Sequence, residues 1–381
     1  MELLLACASA PDAQMLARIP ELARAATGWD CLLRTASRNG VLPLLCWRLN
    51  ALCPDELPPE IIERLRSHFR ANAQRNLAFI GELLKILDLL AERGIEAIPL
   101  KGPAMAASLY GNIALRESVD LDILVRKEHI RAVNEVLSSR RFQPVRQFSA
   151  AQEAITLRSG CEFCFEREDG LLVEPHWDVT PGYFACEFDV EQLWQRARKT
   201  VLQGREVLEP CPEHLLFILC VHSLKHGWAE LKYVADTAWL IGRRELDWDV
   251  LYRLGAETGT VRALNLGCSL AARLLGTELP AEAMKRIAGD RMTARLAARA
   301  ASNLVAVVEQ PHSFVKNSIF HLLARERWRD RIRYCFRVWF VPTPSDEDAL
   351  RLPPGLSALY YPFHTGRMFV KYGLGSLRRP N

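Results

Sequence analysis

Long apolar runs are missing from this sequence. No stretch approaches the ~18 consecutive apolar residues that a membrane-spanning helix requires, so no spanning segment is expected. A leader signal is missing too. The run Met1–Cys7 places a cysteine behind a short apolar segment, as at a lipoprotein cleavage site, but it has no basic residue and carries Glu2. It is read as the start of a helix. Internal repeats and low-complexity tracts are absent. With 49% apolar and 25% charged residues, the composition excludes disorder, collagen and coiled coil.

Cysteine is plentiful, but pairing signals are scarce. The eleven Cys are odd in number and irregularly spaced, in a chain too large to need disulfide staples. That pattern fits reduced thiols in a cytoplasm, and no disulfide partner is expected. Cys161-x-x-Cys164 has no companion pair, so two residues of a buried strand are expected there rather than zinc ligands. A strong net charge is also lacking: 49 Lys/Arg against 45 Asp/Glu leaves +4, too little to mark a nucleic-acid-binding protein. The total hides an asymmetry. Residues 311–381 hold twelve Lys/Arg and five Asp/Glu, a local +7 that leaves −3 for the rest.

At 381 residues, two or three domains are expected. Residues 1–94 read as helices. The clearest spans about Ala73 to Arg93, with Leu77, Ile80, Leu84, Leu87 and Leu90 along one stripe and Gly94 as its stop. The period then changes. Ile95–Leu100 is a short β-type run, Lys101-Gly102-Pro103 turns into a helix closing at Gly111, and Val119–Val125 is a strand. Residues 127–139 read as a helix with Ile130, Val133, Val136 and Leu137 inward. From 142 to 179 short strands are expected, with Cys161–Arg167 and Leu171–Val179 joined through Asp169-Gly170 as a hairpin. A helix near 190–199 and a small strand pair around Gln203-Gly204 complete an α/β core over residues 95–205. Residues 206–310 read as a helical domain, and 311–381 as a basic helix, a Pro-broken loop and an aromatic-rich tail. The expected class is α+β: a small mixed-sheet core embedded in N- and C-terminal helical regions.

The sharpest chemical feature is Asp120-Leu121-Asp122 inside an apolar strand. A period of two puts both carboxylates on one face. Like charges and burial both oppose that arrangement; a divalent cation relieves it, and hard oxygen ligands suit Mg²⁺. Glu174, in Leu172-Val-Glu-Pro-His-Trp177, lies on a strand that can pair beside the acids. Three carboxylates on adjacent strands near a glycine turn can hold two Mg²⁺ against a nucleoside triphosphate (NTP). His176 follows Glu174 by two and shares its face. Trp177 points the other way, into a core.

Taken together, Leu100-Lys101-Gly102, Tyr110-Gly111, Arg116, Val119–Val125 and Val173–Trp177 resemble an uncharacterised bacterial branch of the DNA polymerase β-like nucleotidyltransferase superfamily. The resemblance covers most of residues 75–260 and continues more weakly to the C-terminus. It implies that Asp120, Asp122 and Glu174 are the catalytic and metal-binding carboxylates, with Mg²⁺ (or Mn²⁺) as cofactor and an NTP, ATP among the candidates, as substrate. Lys101 and Gly102 stand where superfamily members usually carry Gly-Ser or Gly-Gly, so Lys101 would supply charge in place of a serine. Arg116 would sit near a phosphate or guide the acid pair, and His176 would bind phosphate or relay the acceptor's proton. The stretch His222-Ser-Leu-Lys225-His226-Gly-Trp228 followed by Asp236 also matches the family pattern. It implies a helix closing over the nucleotide, Lys225 and His226 meeting phosphate or base and Asp236 orienting one of them. Read from residues alone, His222 and His226 share a helix face but lack the HExxH glutamate, residue 223 being Ser, and a polar network between helices explains them equally.

Near the C-terminus, Arg325, Arg329, Arg333 and Arg337 form one four-residue ridge, and Trp328, Ile332, Phe336 and Phe340 a parallel apolar one. The plain expectation is a helix packed by its aromatics with its arginines in water. The alternative is contact with an anionic membrane or RNA. The functional expectation is metal-dependent transfer of a nucleoside monophosphate (NMP) to a hydroxyl or phosphate of an acceptor, be it a small molecule, a peptide or protein, or RNA. The enzyme would be cytoplasmic, with a peripheral membrane contact possible through that helix. A non-catalytic nucleotide-binding scaffold is the alternative. A DxD glycosyltransferase is disfavoured, because it needs a nucleotide-binding α/β region of about a hundred residues ahead of the motif, where this chain is helical.

Overall fold

The computed structural model describes residues 1–374 apart from 185, 306–313 and 351. Residues 306–310 of the expected helical region and 375–381 of the tail therefore lie outside the described residues. Five helices open the chain: α1 Glu2–Ala8, α2 Ala13–Arg24, α3 Trp29–Arg38, α4 Leu42–Leu52 and α5 Pro59–Ala91. The first is the helix expected at Met1–Cys7. The last starts well before Ala73. Its inward stripe runs Ile61, Leu65, Asn72, Asn76, Ile80, Leu83, Ile86, Leu90, so two buried amides interrupt the apolar pattern and hide the first half of the helix from a periodicity reading. Leu77, expected on that stripe, faces solvent at 56% exposure.

The chain then alternates. β1 (Ala97–Pro99) is followed by α6 (Gly102–Met105), which continues in π-helical form to Tyr110 and stops at the left-handed Gly111. Next come β2 (Asp120–Val125), α7 (Ile130–Ser139), β3 (Gln143–Pro144), α8 (Ala150–Ser159), β4 (Phe165–Glu166), β5 (Leu172–His176) and α9 (Val190–Gln195). The hairpin β6 (Arg198–Leu202)–β7 (Arg205–Glu209) turns at Gln203-Gly204, as expected. So does α7, which buries Ile130, Val133, Val136 and Leu137. Three expectations fail. The helix expected near 190–199 stops at Gln195, with 198–199 already in β6; the strand expected over Cys161–Arg167 forms only at Phe165–Glu166, leaving Cys161 and Cys164 outside it; and α8 stands where only strands and turns were read. Ser149 and Gln152 form a reciprocal capping box at its start, a local signal that outweighs the weak strand pattern.

Strands β1–β5 form one mixed sheet in the order β1-β2-β5-β4-β3, with β2 and β5 parallel and the remaining pairs antiparallel. Each face of it meets a different core. Leu121, Ile123, Val125 and Val173 pack with Ile80, Leu83, Ile86 and Leu90 of α5 and with α7, and Trp177 joins this side as expected. Ile98 and Leu124 pack on the other side with the helices that follow. These are α10 (Pro212–Lys225), α11 (Leu231–Arg243), α12 (Trp248–Thr258), α13 (Val261–Leu275), α14 (Ala281–Gly289) and α15 (Arg291–Val305). The result is the α+β class expected, a small mixed sheet set among helices.

The chain ends in α16 (Phe314–Ala324), α17 (Trp328–Phe340), α18 (Pro344–Ala349) and α19 (Tyr360–Met368). Here the expected packing of the aromatics fails. Trp328, Ile332, Phe336 and Phe340 are exposed, Trp328 at 74%, and Phe336 stacks on Phe340 with ring centroids 5.0 Å apart. The inward positions are Asp330 and Tyr334. Arg329 lies in water as expected, its side chain 62% exposed. Arg333 pairs with Glu187 at 2.6 Å, and Arg337 donates to the Gly182 carbonyl. Arg325 precedes α17 and is buried, its guanidinium over Phe184 and Tyr334 and its donors on the His321 and Phe184 carbonyls. The loop expected to be broken by Pro342 and Pro344 instead contains α18, because Pro344 is well placed at a first helical turn and Thr343 caps it with Asp346.

Candidate active site

The acids come together because β2 and β5 run parallel in a fixed register. Asp122 lies opposite Glu174, Asp120 opposite Leu172, and Leu124 opposite His176. Asp120, Asp122, Glu174 and His176 therefore share one face, and that face looks toward α10. The loop leading into β2 is held from below. The Asn72 side-chain amide donates to the Ala114 and Arg116 carbonyls, and Asn76 to those of Ile113 and Arg116. On the β1 side, Leu100 N–H donates to the Asp122 carbonyl at 3.0 Å. The next turn needs glycine: Gly102 has φ +69°, and a Cβ there would stand 3.1 Å from the Asp120 carbonyl oxygen.

Asp122 is 3% exposed, and burial alone would raise its pKa. Lys101, whose Nζ is 3.3 Å away, and His176, whose Nε2 is 2.8 Å away, outweigh that and hold it well below the aspartate range. Asp120 goes the other way. Burial, then the nearby Asp122 and Glu174 charges, push its carboxyl up to about 6 against the pull of Lys101 and Arg116. His176 is ringed by acids. Its Nε2 is also 3.6 Å from Glu174, and its Nδ1 is 3.2 Å from Glu162. Burial disfavours its protonation, but the bond to Asp122 raises its pKa well above the ordinary histidine value.

The helical wall adds two histidines and two lysines. Lys101 Nζ lies 3.2 Å from His222 Nδ1. Burial and the neighbouring lysines pull His222 well down and His226 down to about 4, so both rings are neutral. His226 stacks on Tyr233. Lys225 reaches the Glu162 carboxylate at 3.8 Å. Arg116 lies deeper. Its Nε is 3.1 Å from both Asp236 oxygens, and the Tyr110 hydroxyl donates to Asp236 at 2.7 Å. Asp236, expected to orient Lys225 or His226, instead anchors Arg116 and Tyr110.

One member of the cluster escaped the sequence reading. Glu162 bridges to His176 in antiparallel fashion, completing a line of carboxylates: Asp122, Glu174, Glu162. The signal was present. A hairpin closed at Asp169-Gly170 in the register Phe165–Val173 and Glu166–Leu172 sets residue 162 opposite residue 176.

Among the described residues, Asp122, Glu174 and His176 offer ligand atoms within 4.8 Å of one another, as do Cys161, Glu162 and His176. His176 Nε2 is engaged with Asp122 at 2.8 Å, and the carboxylates offer hard oxygen donors. Burial, followed by the Asp122 and Glu174 charges, disfavours the ionised form of Asp120, a cost that a bound cation relieves. Such donors fit Mg²⁺ or Mn²⁺.

A family model described as an uncharacterised nucleotidyltransferase matches residues 25–276, about two thirds of the chain and all the residues of this cluster. The chain belongs to this nucleotidyltransferase family. It is also similar to the solution structure of the antibiotic-resistance factor ANT(2'')-Ia, at 15% identity over 48% of this chain and 91% of that one, with a TM-score of 0.33. An antigenic nucleotidyltransferase-like protein from Paracoccidioides brasiliensis is similar at 17% identity over 56% and 97% of the two chains, again with a TM-score of 0.33. No match is found among curated proteins. The match to the nucleotidyltransferase family ends before α16–α19, so the C-terminal helices lie beyond its model.

Proposed function

We propose that the chain is a metal-dependent nucleotidyltransferase that moves an NMP from an NTP to an acceptor hydroxyl or phosphate. The observation that carries this reading is the Asp122–Glu174 register pair, with Asp120 beside it raised by burial and then by their charge. Asp120, Asp122 and Glu174 hold Mg²⁺ or Mn²⁺, which when bound neutralises triphosphate charge and activates the acceptor oxygen, the two-metal arrangement common to phosphoryl transfer. Lys101 and the Gly102 turn receive phosphate oxygens on the β1 side. His176 holds Asp122 in place and adds a second positive charge. Lys225 and the neutral His226 meet phosphate or base from α10. Arg116, anchored by Asp236, acts on Asp120 from below through its charge, without touching substrate. Most of the rate comes from positioning and charge neutralisation.

A scaffold reading has one observation in its favour: Lys101 and His176 already satisfy Asp122. A DxD glycosyltransferase does not fit the helices that precede β1. The test is incubation with each α-labelled NTP, Mg²⁺ or Mn²⁺ and cell extract. Label in a product that disappears with Asp120→Ala or Asp122→Ala supports transfer. NTP binding with no label in any fraction supports the scaffold.

No helix among the described residues is long and apolar enough to cross a membrane. We place the enzyme in the cytoplasm, a placement supported by its many irregularly spaced cysteines, and against an anionic bilayer through the outer face of α17. The exposed aromatic ridge and the +7 balance of residues 311–381 match that surface in shape and charge.

A further inference from the structure

Beside the acid cluster lies a cavity of about 830 Å³, within the size range of small-molecule sites. Glu162, Lys225, Cys161 and Tyr183 are among its lining. Glu162 also reaches His176 at 3.2 Å, so this one side chain joins the cavity lining to the acid cluster. Phe148, Phe163, Val338 and Met368 contribute apolar lining, and Arg337, Arg367 and Lys371 contribute positive charge. Arg337 is engaged with Gly182 and Glu187, and Arg367 with Asp346. Lys371 is exposed and has no carboxylate partner among the described residues.

We infer that this cavity binds the acceptor, a small organic anion with an apolar body and a hydroxyl at the Glu162 end. The inference rests on the transferase reading above and names the substrate class for it. The sheet order supplies the argument. β1, which leads to Lys101 and Gly102, flanks β2 on one side; β5, β4 and Glu162 lie on the other. In-line displacement needs the nucleophile and the leaving group on opposite sides of the α-phosphorus. Phosphates seated at Lys101-Gly102 leave the Glu162 side to the acceptor. The acceptor oxygen forms a bond to the α-phosphorus while the bond from that phosphorus to the bridging oxygen breaks. Pyrophosphate leaves with the electron pair, and the hydroxyl proton passes to the Glu162 carboxylate. Lys371, which lines the same cavity as Arg337 and Arg367, pairs with the acceptor's own anionic group. This part of the lining is built by α17, α19 and the segment after α19, outside the stretch that matches the family model.

The probe is 8-anilinonaphthalene-1-sulfonate, an aromatic anion, titrated into the full chain. One saturable site is expected. Val338→Trp, which fills the cavity, and Lys371→Glu, which reverses the charge of an exposed side chain, each weaken it by about tenfold or more. Both variants keep Mg·ATP binding and their unfolding midpoint, and Phe336→Ser on the outer face of α17 changes nothing. Probe binding that survives both cavity variants, or is lost only in Phe336→Ser, overturns the site. A second arm uses α-labelled ATP and fractionated extract. Label in the small anionic fraction, competed by the probe and lost in Lys371→Glu, supports the acceptor class; label in RNA or protein overturns it. Label nowhere sinks the transferase reading, and the probe titration still decides whether the cavity is an organic-anion site.

Discussion

Lys101 Nζ stands 3.3 Å from Asp122 Oδ1, a salt bridge in which neither side chain is more than 10% exposed. A buried pair of this kind holds a charge that the fold cannot leave alone. Its lysine comes from the turn after β1 and its aspartate from the middle of β2, so the bond ties the glycine turn to the acid strand. Lys101→Met leaves Asp122 to His176 alone. The metal-free protein should lose about 3 kcal/mol, the usual consequence of removing one partner of a buried ion pair. Mn²⁺ should restore part of that loss by replacing the missing positive charge. Urea unfolding of both proteins, with and without MnCl₂, measures it; a loss indifferent to Mn²⁺ contradicts the assignment of these acids to a cation.

Asp120 sets the pH response. Its carboxyl is raised to about 6 in the fold, above the aspartate value of about 4 in an unfolded chain. The folded protein therefore resists ionisation, and metal-free stability falls as pH rises from about 4 through about 6, opposite to the usual effect of a paired carboxylate. Metal needs the ionised form. Mn²⁺ affinity should fall by about tenfold per pH unit below about 6 and level off above it, and Asp120→Asn should flatten the curve. Titration by Mn²⁺ electron paramagnetic resonance from pH 5 to 8 checks both.

Arg116 and Asp236 act as one buried unit with Tyr110. Asp236→Asn should destabilise by about 3–5 kcal/mol, since it strands the guanidinium. Tyr110→Phe should destabilise by about 1 kcal/mol, as loss of one hydrogen bond. At temperatures where the variants are folded, NTP affinity should match wild type within about twofold. A large loss of NTP affinity without loss of stability would instead make Arg116 a direct phosphate ligand.

The outer ridge of α17 should sediment with phosphatidylglycerol vesicles and not with phosphatidylcholine. Burying an aromatic side chain contributes about 1.5–3 kcal/mol, so Trp328→Ser combined with Phe336→Ser should weaken binding by more than about tenfold. Raising salt should weaken it further. Binding to RNA but not to vesicles contradicts this reading of the ridge.

Much of the fold was legible because β2 and α7 have clean periods: Asp120 and Asp122 on one face of a strand, Ile130, Val133 and Val136 on one face of a helix. The glycine turn at Gly102 and the hairpin at Asp169-Gly170 were legible from turn chemistry. The first half of α5 was not, because its inward positions at Asn72 and Asn76 are polar and find their partners forty residues away. Glu162 was missed for a related reason: its meaning depends on a hairpin register, not on its neighbours. The orientation of α17 could not be read from its ridges. Neither faces inward: Asp330 and Tyr334 do, and Glu187 and the Gly182 carbonyl, far away in sequence, take Arg333 and Arg337.

The central claim is that Asp120, Asp122 and Glu174 serve transfer of an NMP. The most direct measurement compares α-labelled with γ-labelled ATP in the presence of Mn²⁺ and the small-molecule fraction of an extract, for wild type and Asp122→Asn. The account predicts an α-labelled product, no γ-labelled product, and loss of both product and pyrophosphate release in the variant. A γ-labelled product, or undiminished α-label transfer by Asp122→Asn, would contradict it.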